Sequence, residues 1–404
     1  MRIRRNAVAA GHRPGPAPTG RTLVLLHGRT ASAGVALLRD AAGLRVAVSS
    51  DFDAARLGIE PGEGLLFERL GAALLCGDPD QTRALLRQQR EGTLLLEPER
   101  RVRASVIGDA DPDLGTPLAD TPAATWGLLA TRVPYSPYQG RGIRVAILDT
   151  GLDLFHPDFA DRAVVSTSFA GELPVDDGNG HGTLCAGIAC GPRQPALAPR
   201  YGVAPAAELY VARILDDDAD GTDGSVLAGI DWAVRHRCAV VSLSVGAPVA
   251  AGDSYPMIYE HAAARALDAG TVLIAPAGNS SQRPDTILPV EHPANCPSIL
   301  AVAAVDQNLA VASFSNGGVN PDGGAVDLAA PGIAIASASP RPALYQSGSG
   351  TSMAAPFVAG IAALIAEADP RARGAALRAA LLKAFRPLPA PARDVGAGLV
   401  QAPQ

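Results

Sequence analysis

Gly350-Thr351-Ser352-Met353-Ala354-Ala355-Pro356 sets a serine between a glycine and an apolar run, Phe357 to Ile365. The run has helical character. Pro356 fits its first turn, where backbone N–H groups have no helical partner to lose. A serine at the mouth of a helix lies at the positive end of the macrodipole, where a neighbouring anion is favoured. Gly350 lets other backbone come close. Taken alone, the stretch reads first as an ordinary N-cap, since Ser and Thr are preferred there, and only second as a nucleophile. The rest of the chain separates the two.

Working outward, short apolar runs alternate with helical ones from Trp126 to about Gly374. They include Arg144–Leu148, Glu208–Ile214, Ser225–His236, Ala239–Ser244, Tyr255–Ala269, Thr271–Ala275, Ile299–Val305, Val326–Ala329 and Pro356–Ala368. Near-continuous apolar strands between amphipathic helices predict a parallel sheet covered on both faces. Sites in such folds collect at the carboxyl ends of the strands. Three further motifs fall there.

Val145-Ala146-Ile147-Leu148-Asp149-Thr150-Gly151 ends a buried strand in a carboxylate; a plain strand-terminal turn is the other reading. Asn179-Gly180-His181-Gly182-Thr183 puts a histidine between glycines at the start of an apolar helix. Capping suits Asp or Ser better than His, and small neighbours leave an imidazole open to pass protons. Ala275-Pro276-Ala277-Gly278-Asn279-Ser280 offers a side-chain amide at a strand end, either as a turn residue or as a donor to a developing oxyanion. A serine hydroxyl needs a base to take its proton, and the base needs a carboxylate to hold its tautomer. Asp149, His181 and Ser352 supply one of each.

With these motifs in the order Asp…His…Ser, the chain resembles the subtilisin-like serine peptidases, the subtilases, over roughly Trp126 to Ala368. The resemblance implies an α/β fold: a three-layer domain on a mainly parallel sheet. It implies a serine endopeptidase in which Ser352 is the nucleophile, His181 the base and then acid, and Asp149 the orienting carboxylate. Asn279 and the Ser352 N–H would form the oxyanion hole. Ser242-Leu243-Ser244-Val245-Gly246 is similar to the family's substrate strand, and Ala277 and Gly278 would help wall the pocket for the substrate residue before the scissile bond. Glu291 falls on the segment along that pocket's floor. Pointing inward it would select Arg or Lys; otherwise it is a solvated loop glutamate. The family needs no cofactor for its chemistry but often holds structural calcium. Asp158 matches one ligand position, while the Pro-rich stretch 191–200 departs from the family's calcium loop. The acidic loop Asp216, Asp217, Asp218, Asp220 and Asp223 reads as solvated or as a weak hard-cation site. Cys185, one turn after His181, is similar to a cysteine in the proteinase K-like branch and implies either an inert buried thiol or sensitivity to thiol reagents.

Residues 1–20 are rich in Arg, Gly and Pro and are expected to be disordered. Residues 21–103 read as a small α+β unit of order β-α-β-ββ-α-β, close to a ferredoxin-like sandwich with an added strand. It resembles the subtilase pro-domain, a folding chaperone and inhibitor whose C-terminal tail, here Thr93–Arg103, lies in the cleft of residues 125–404. Residues 104–124 read as a linker. Autocleavage is expected between Arg101 and Thr125: basic specificity favours Arg101 or Arg103, and the family's spacing favours a point nearer Asp120.

The chain has 404 residues, 48% of them hydrophobic, and a net charge of −6, so nothing pulls it toward nucleic acid or an anionic membrane. Its partners are expected to be protein or peptide substrates and its own N-terminal unit, in a monomer. The five cysteines form no Cys-x-x-Cys pair and indicate neither a disulfide framework nor zinc. The basic start Met1-Arg2-Ile3-Arg4-Arg5 precedes an apolar run too short and too late for a signal peptide. The expectation is a cytoplasmic or non-classically exported protein, with secretion the family-based alternative. Two other functions compete: a peptide-binding pseudo-peptidase blocked by its N-terminal unit, and a subtilase specialised for one processing or acyl-transfer event.

Overall fold

The computed structural model describes residues 19–26, 28, 30–51, 58–104 and 118–404. The expected disordered start, most of the expected linker and part of the expected cleavage region lie outside the described residues.

The N-terminal unit consists of β1 (Thr22–Leu25), α1 (Ala31–Ala42), β2 (Arg45–Val48), β3 (Glu63–Phe67), β4 (Ala72–Cys76), α2 (Pro79–Arg90) and β5 (Leu95–Pro98). Its sheet has the order β2-β3-β4-β1-β5. All neighbours are antiparallel except β2, which runs parallel to β3 at the edge and is the added strand. Thr30 and Asp78 cap the two helices, Asp78 in a reciprocal box with Gln81. Strand alternation gives the sheet two apolar faces. Val24, Leu26, Leu66, Ala73 and Leu75 pack under α1 and α2. Leu23, Leu25, Leu65, Phe67 and Leu74 belong to the core of the larger domain.

A short strand β6 (Arg101–Arg103) leads on to α3 (Trp126–Ala130) and the large sheet. The further elements are β7 (Arg144–Asp149), β8 (Val164–Ser168), α4 (His181–Cys190), β9 (Glu208–Arg213), β10 (Asp220–Thr222), α5 (Asp223–Arg235) and β11 (Val240–Leu243). Then come α6 (Met257–Asp268), β12 (Val272–Pro276), β13 (Leu300–Val305), β14 (Leu328–Pro331), β15 (Ile335–Ala338), β16 (Tyr345–Gly348), α7 (Thr351–Ala368), α8 (Ala375–Leu381), β17 (Phe385–Arg386) and β18 (Leu399–Val400).

The nine-stranded sheet has the order β17-β18-β14-β13-β12-β11-β7-β9-β8, with only the β17–β18 pair antiparallel. Helices α4 and α7 pack together and onto it; α5 and α6 also contact it and each other, and meet the N-terminal sheet. This is the mainly parallel, three-layer α/β architecture expected from the alternating runs.

Helix α7 starts at Thr351, so Pro356 lies inside it and not in its first turn as expected. A proline removes the hydrogen bond to the carbonyl four residues back, here that of Ser352. That carbonyl instead accepts from Ser244 Oγ at 3.2 Å and Cys185 Sγ at 3.5 Å. The defect in the helix is what ties the serine's backbone to α4 and to the residue that follows β11. By length and composition α7 could cross a membrane, but it is 89% buried in the fold.

Candidate active site

Asp149 closes β7, between β11 and β9 in the sheet, and is fully buried. Its Oδ1 accepts from the Thr150 N–H and from His181 Nδ1, each at 2.7 Å. His181 opens α4, and its distance from Asp149 is set by main chain. Gly151, at φ +117°, lies against Gly182, where a Cβ would come within 2.2 Å of the Gly151 carbonyl oxygen. Thr150 Oγ1 accepts from the Gly182 N–H at 2.9 Å and binds the two segments together.

The organiser of this corner is Asp177, which the sequence motifs did not single out. Its Oδ1 accepts from Thr150 Oγ1 at 2.8 Å and from the N–H groups of Asn179 and Gly180. Its Oδ2 accepts from the Thr183 N–H and hydroxyl at 2.8 and 2.7 Å, capping α4. The available signal was an acidic residue just ahead of a helix that lacks any other side-chain cap.

Burial draws the His181 imidazole down, but the Asp149 carboxylate more than offsets this and holds it well above the ordinary 6.5. His181 Nε2 is buried and without a partner among the described residues; no hydrogen bond joins it to Ser352 Oγ. Such contacts are often loose in an unliganded site. Cys185 bridges the two residues, with Sγ 3.8 Å from His181 Nδ1 and 3.5 Å from the Ser352 carbonyl. Burial pushes its thiol up, which keeps it neutral. Asn279 turns its Oδ1 to the Thr351 N–H and hydroxyl, both at 2.8 Å, so the donor end of the amide points away from Thr351.

The predicted substrate segments converge on the same place. Ser244 and Val245 are buried, Ser244 against Ser352, and Gly246 exchanges two backbone hydrogen bonds of 2.9 Å with Arg103. Ala277 accepts from the Glu291 N–H, and the Gly278 N–H donates to Thr351 Oγ1 at 3.1 Å. Glu291, expected either to point inward or to be a solvated loop residue, is half-buried. Its carboxylate lies between the two walls, 2.5 Å from where a Cβ on Gly246 would stand, while its Cγ and Cδ are 2.6 Å from one on Gly278. It accepts from Ser280 Oγ at 2.7 Å and from Asn316 Nδ2 at 3.4 Å. None of the ion pairs among the described residues involves it, and burial pushes its carboxyl up.

Asp158 does not fit a calcium site. Its oxygens accept from Tyr201 Oη at 2.5 Å, Tyr345 Oη at 3.1 Å and the Ala196 N–H at 2.8 Å, three donors where a cation would stand. The acidic loop does not gather its carboxylates either: Asp217 pairs with Arg213, Asp220 with Arg103, and Asp223 with His292 and Arg100.

The subtilase family model matches residues 140–398. Subtilisin BL of Lederbergia lenta is 36% identical over 249 residues, 61% of this chain and 85% of that protein. M-protease of Shouchella clausii is also 36% identical over 249 residues, which make up 60% of its length. Subtilisin E of Bacillus subtilis is 35% identical over 241 residues, 60% of each chain. A match over more than half the chain, on a mainly parallel α/β sheet, makes this protein a member of the subtilase family and a serine-type endopeptidase.

Proposed function

We propose that the chain hydrolyses peptide bonds through an acyl-enzyme on Ser352. The observation that carries this reading is His181, held by Asp149 through Nδ1 at 2.7 Å with Nε2 left unpartnered. His181 takes the hydroxyl proton of Ser352 as its Oγ attacks the substrate carbonyl. The developing oxyanion is met by Asn279 Nδ2 and the Ser352 N–H, at a helix start whose dipole favours the charge. The protonated His181 then gives its proton to the leaving amine, and water repeats the sequence to release the acyl group. The substrate lies as a strand against Ser244–Gly246. Glu291, a carboxylate with no cation beside it, favours Arg or Lys at the residue before the scissile bond.

The N-terminal unit acts as inhibitor and folding template. Glu97 accepts from the Met257 N–H at the start of α6 at 2.9 Å. Glu99 accepts from the Gly224 N–H at the start of α5 at 3.0 Å. Each places an anion where a helix dipole welcomes one, and they hold the two helices side by side. β6 fills the gap between β10 and Gly246 as a substrate would. Arg103 faces Gly246, so it is not the residue before the cleaved bond. Counting two residues on in the sequence from the Arg103–Gly246 pair, we put the cleaved bond between Ser105 and Val106. A tethered tail reacts intramolecularly and does not need the preferred side chain.

A fluorophosphonate probe tests the core of this reading. It labels the wild type and not Ser352→Ala; absence of labelling of the wild type after the N-terminal unit is removed would overturn it.

A further inference from the structure

The acidic loop holds a cation, and that cation is a guanidinium. Arg103 makes a two-point contact with Asp220, Nε to Oδ1 at 2.5 Å and Nη2 to Oδ2 at 2.7 Å. Asp216 and Asp218, on the same turn, add attraction to the same side chain, after the hydrogen bond and charge of Asp220. Asp216 also fixes the turn, its Oδ1 accepting from the N–H groups of Asp218 and Asp220. The backbone of Arg103 at the same time exchanges both its hydrogen bonds with Gly246, and the Ala104 N–H donates to the Ala219 carbonyl. Side chains alternate along a strand: Val102 is turned inward and 2% exposed, while Arg103 lies outward along the loop.

We infer that the Asp216–Asp220 loop is a substrate subsite that selects an arginine or lysine at the residue paired with Gly246. This rests on the reading of Ser244–Gly246 as the substrate strand. The tail is a covalently attached first occupant of the subsite, and a protein substrate replaces it residue for residue. Because the side chains of Arg103 and Asp220 are 61% and 35% exposed, the selection is modest and salt-sensitive. An exposed pair of this kind corresponds to about a two- to five-fold preference. Its role is to rank substrates that the buried pockets accept equally well.

The test compares two fluorogenic peptides with the sequence of residues 101–108, differing only in Arg or Gln at the position of Arg103. Rates are normalised to sites titrated with fluorophosphonate. The Arg peptide is cut about two- to five-fold faster, measured as kcat/KM. The advantage disappears in Asp220→Asn and shrinks at about 0.5 M salt, where the Debye length falls to roughly 4 Å. For a preparation whose cleft stays filled by the tail, the readout moves to the labelling rate of the full chain. Arg103→Gln then labels several-fold faster than the wild type, and the swap Arg103→Asp with Asp220→Arg labels at about the wild-type rate. Equal cutting of both peptides, or equal labelling of wild type and Arg103→Gln, overturns the subsite and leaves the peptidase standing. Absence of labelling in every preparation overturns both.

Discussion

Replacing Glu99 by glutamine keeps the shape of the side chain and removes the charge on which the N-terminal unit docks. Glu99 is fully buried between the two domains. It accepts from Arg21 Nε at 2.7 Å and Nη2 at 2.9 Å, from Thr19 Oγ1, and from the Gly224 N–H at the start of α5. A hydrogen bond to a charged group contributes about 1.5–3 kcal/mol, and a helix dipole up to about 2 kcal/mol in a partly buried setting. Arg21 is 22% exposed and recovers some hydration, which lowers the loss. The balance is about 3 kcal/mol of interdomain affinity, or a factor of roughly 150. If the fluorophosphonate reaches Ser352 only when β6 lifts away, Glu99→Gln raises the labelling rate of the full chain by about two orders of magnitude. Glu63→Gln serves as the control, because Glu63 pairs with Arg45 inside the N-terminal unit. A Glu99→Gln rate within about twofold of wild type would refute the reasoning, since the buried carboxylate would then contribute nothing to docking.

Activity on peptides rises with pH as His181 loses its proton, with an apparent pKa above 6.5 because Asp149 holds the imidazole up. Asp149→Asn moves that pKa down and lowers kcat by roughly 10⁴-fold, the loss that follows when the amide holds the imidazole of a serine-peptidase triad in the wrong tautomer; an unshifted profile would remove Asp149 from its role. Sequencing the mature N-terminus finds Val106, whereas a chain beginning at residue 102 or 104 would mean the register across Gly246 is not the one used for cleavage. Peptides with Arg or Lys before the scissile bond are cut about tenfold faster than those with Leu, and Glu291→Gln abolishes the difference. Burial raises the pKa of Glu291, so this preference is full above that pKa and fades as the pH falls through it; Leu outrunning Arg at neutral pH refutes it.

The main architecture was legible because a parallel sheet buried on both faces leaves almost no polar residue inside its strands. Val240–Leu243 and Leu300–Val305 sit within a residue or two of the apolar runs read from the sequence. Asp149, His181, Asn279 and Ser352 stood out as candidates because glycines flank polar residues where an apolar run starts or stops. Asp177 escaped because four of its five acceptor contacts are local ones that any acidic residue ahead of a helix could make, and the fifth, which ties it to the site, comes from Thr150, 27 residues away in sequence. Glu291 reads like any loop glutamate until Gly246 and Gly278, far apart in sequence, close around it. Strands β6 and β10, three residues each, carry no periodicity of their own; each is a strand only because the other domain supplies its partner.

The contact between Gly151 and Gly182 has a consequence for how this enzyme can vary. A methyl group at position 182 would stand 2.2 Å from a carbonyl oxygen, while ordinary contact begins near 3.4 Å. The two loops would have to part by about 1 Å, and a displacement of that size can cost about a hundredfold in rate. The spacing of carboxylate and imidazole is therefore not adjustable by exchanging side chains. A lineage, or an engineer, has no dial there; gradual change is confined to the walls of the cleft, where residues such as Glu291 and Asp220 can be exchanged without moving the main chain.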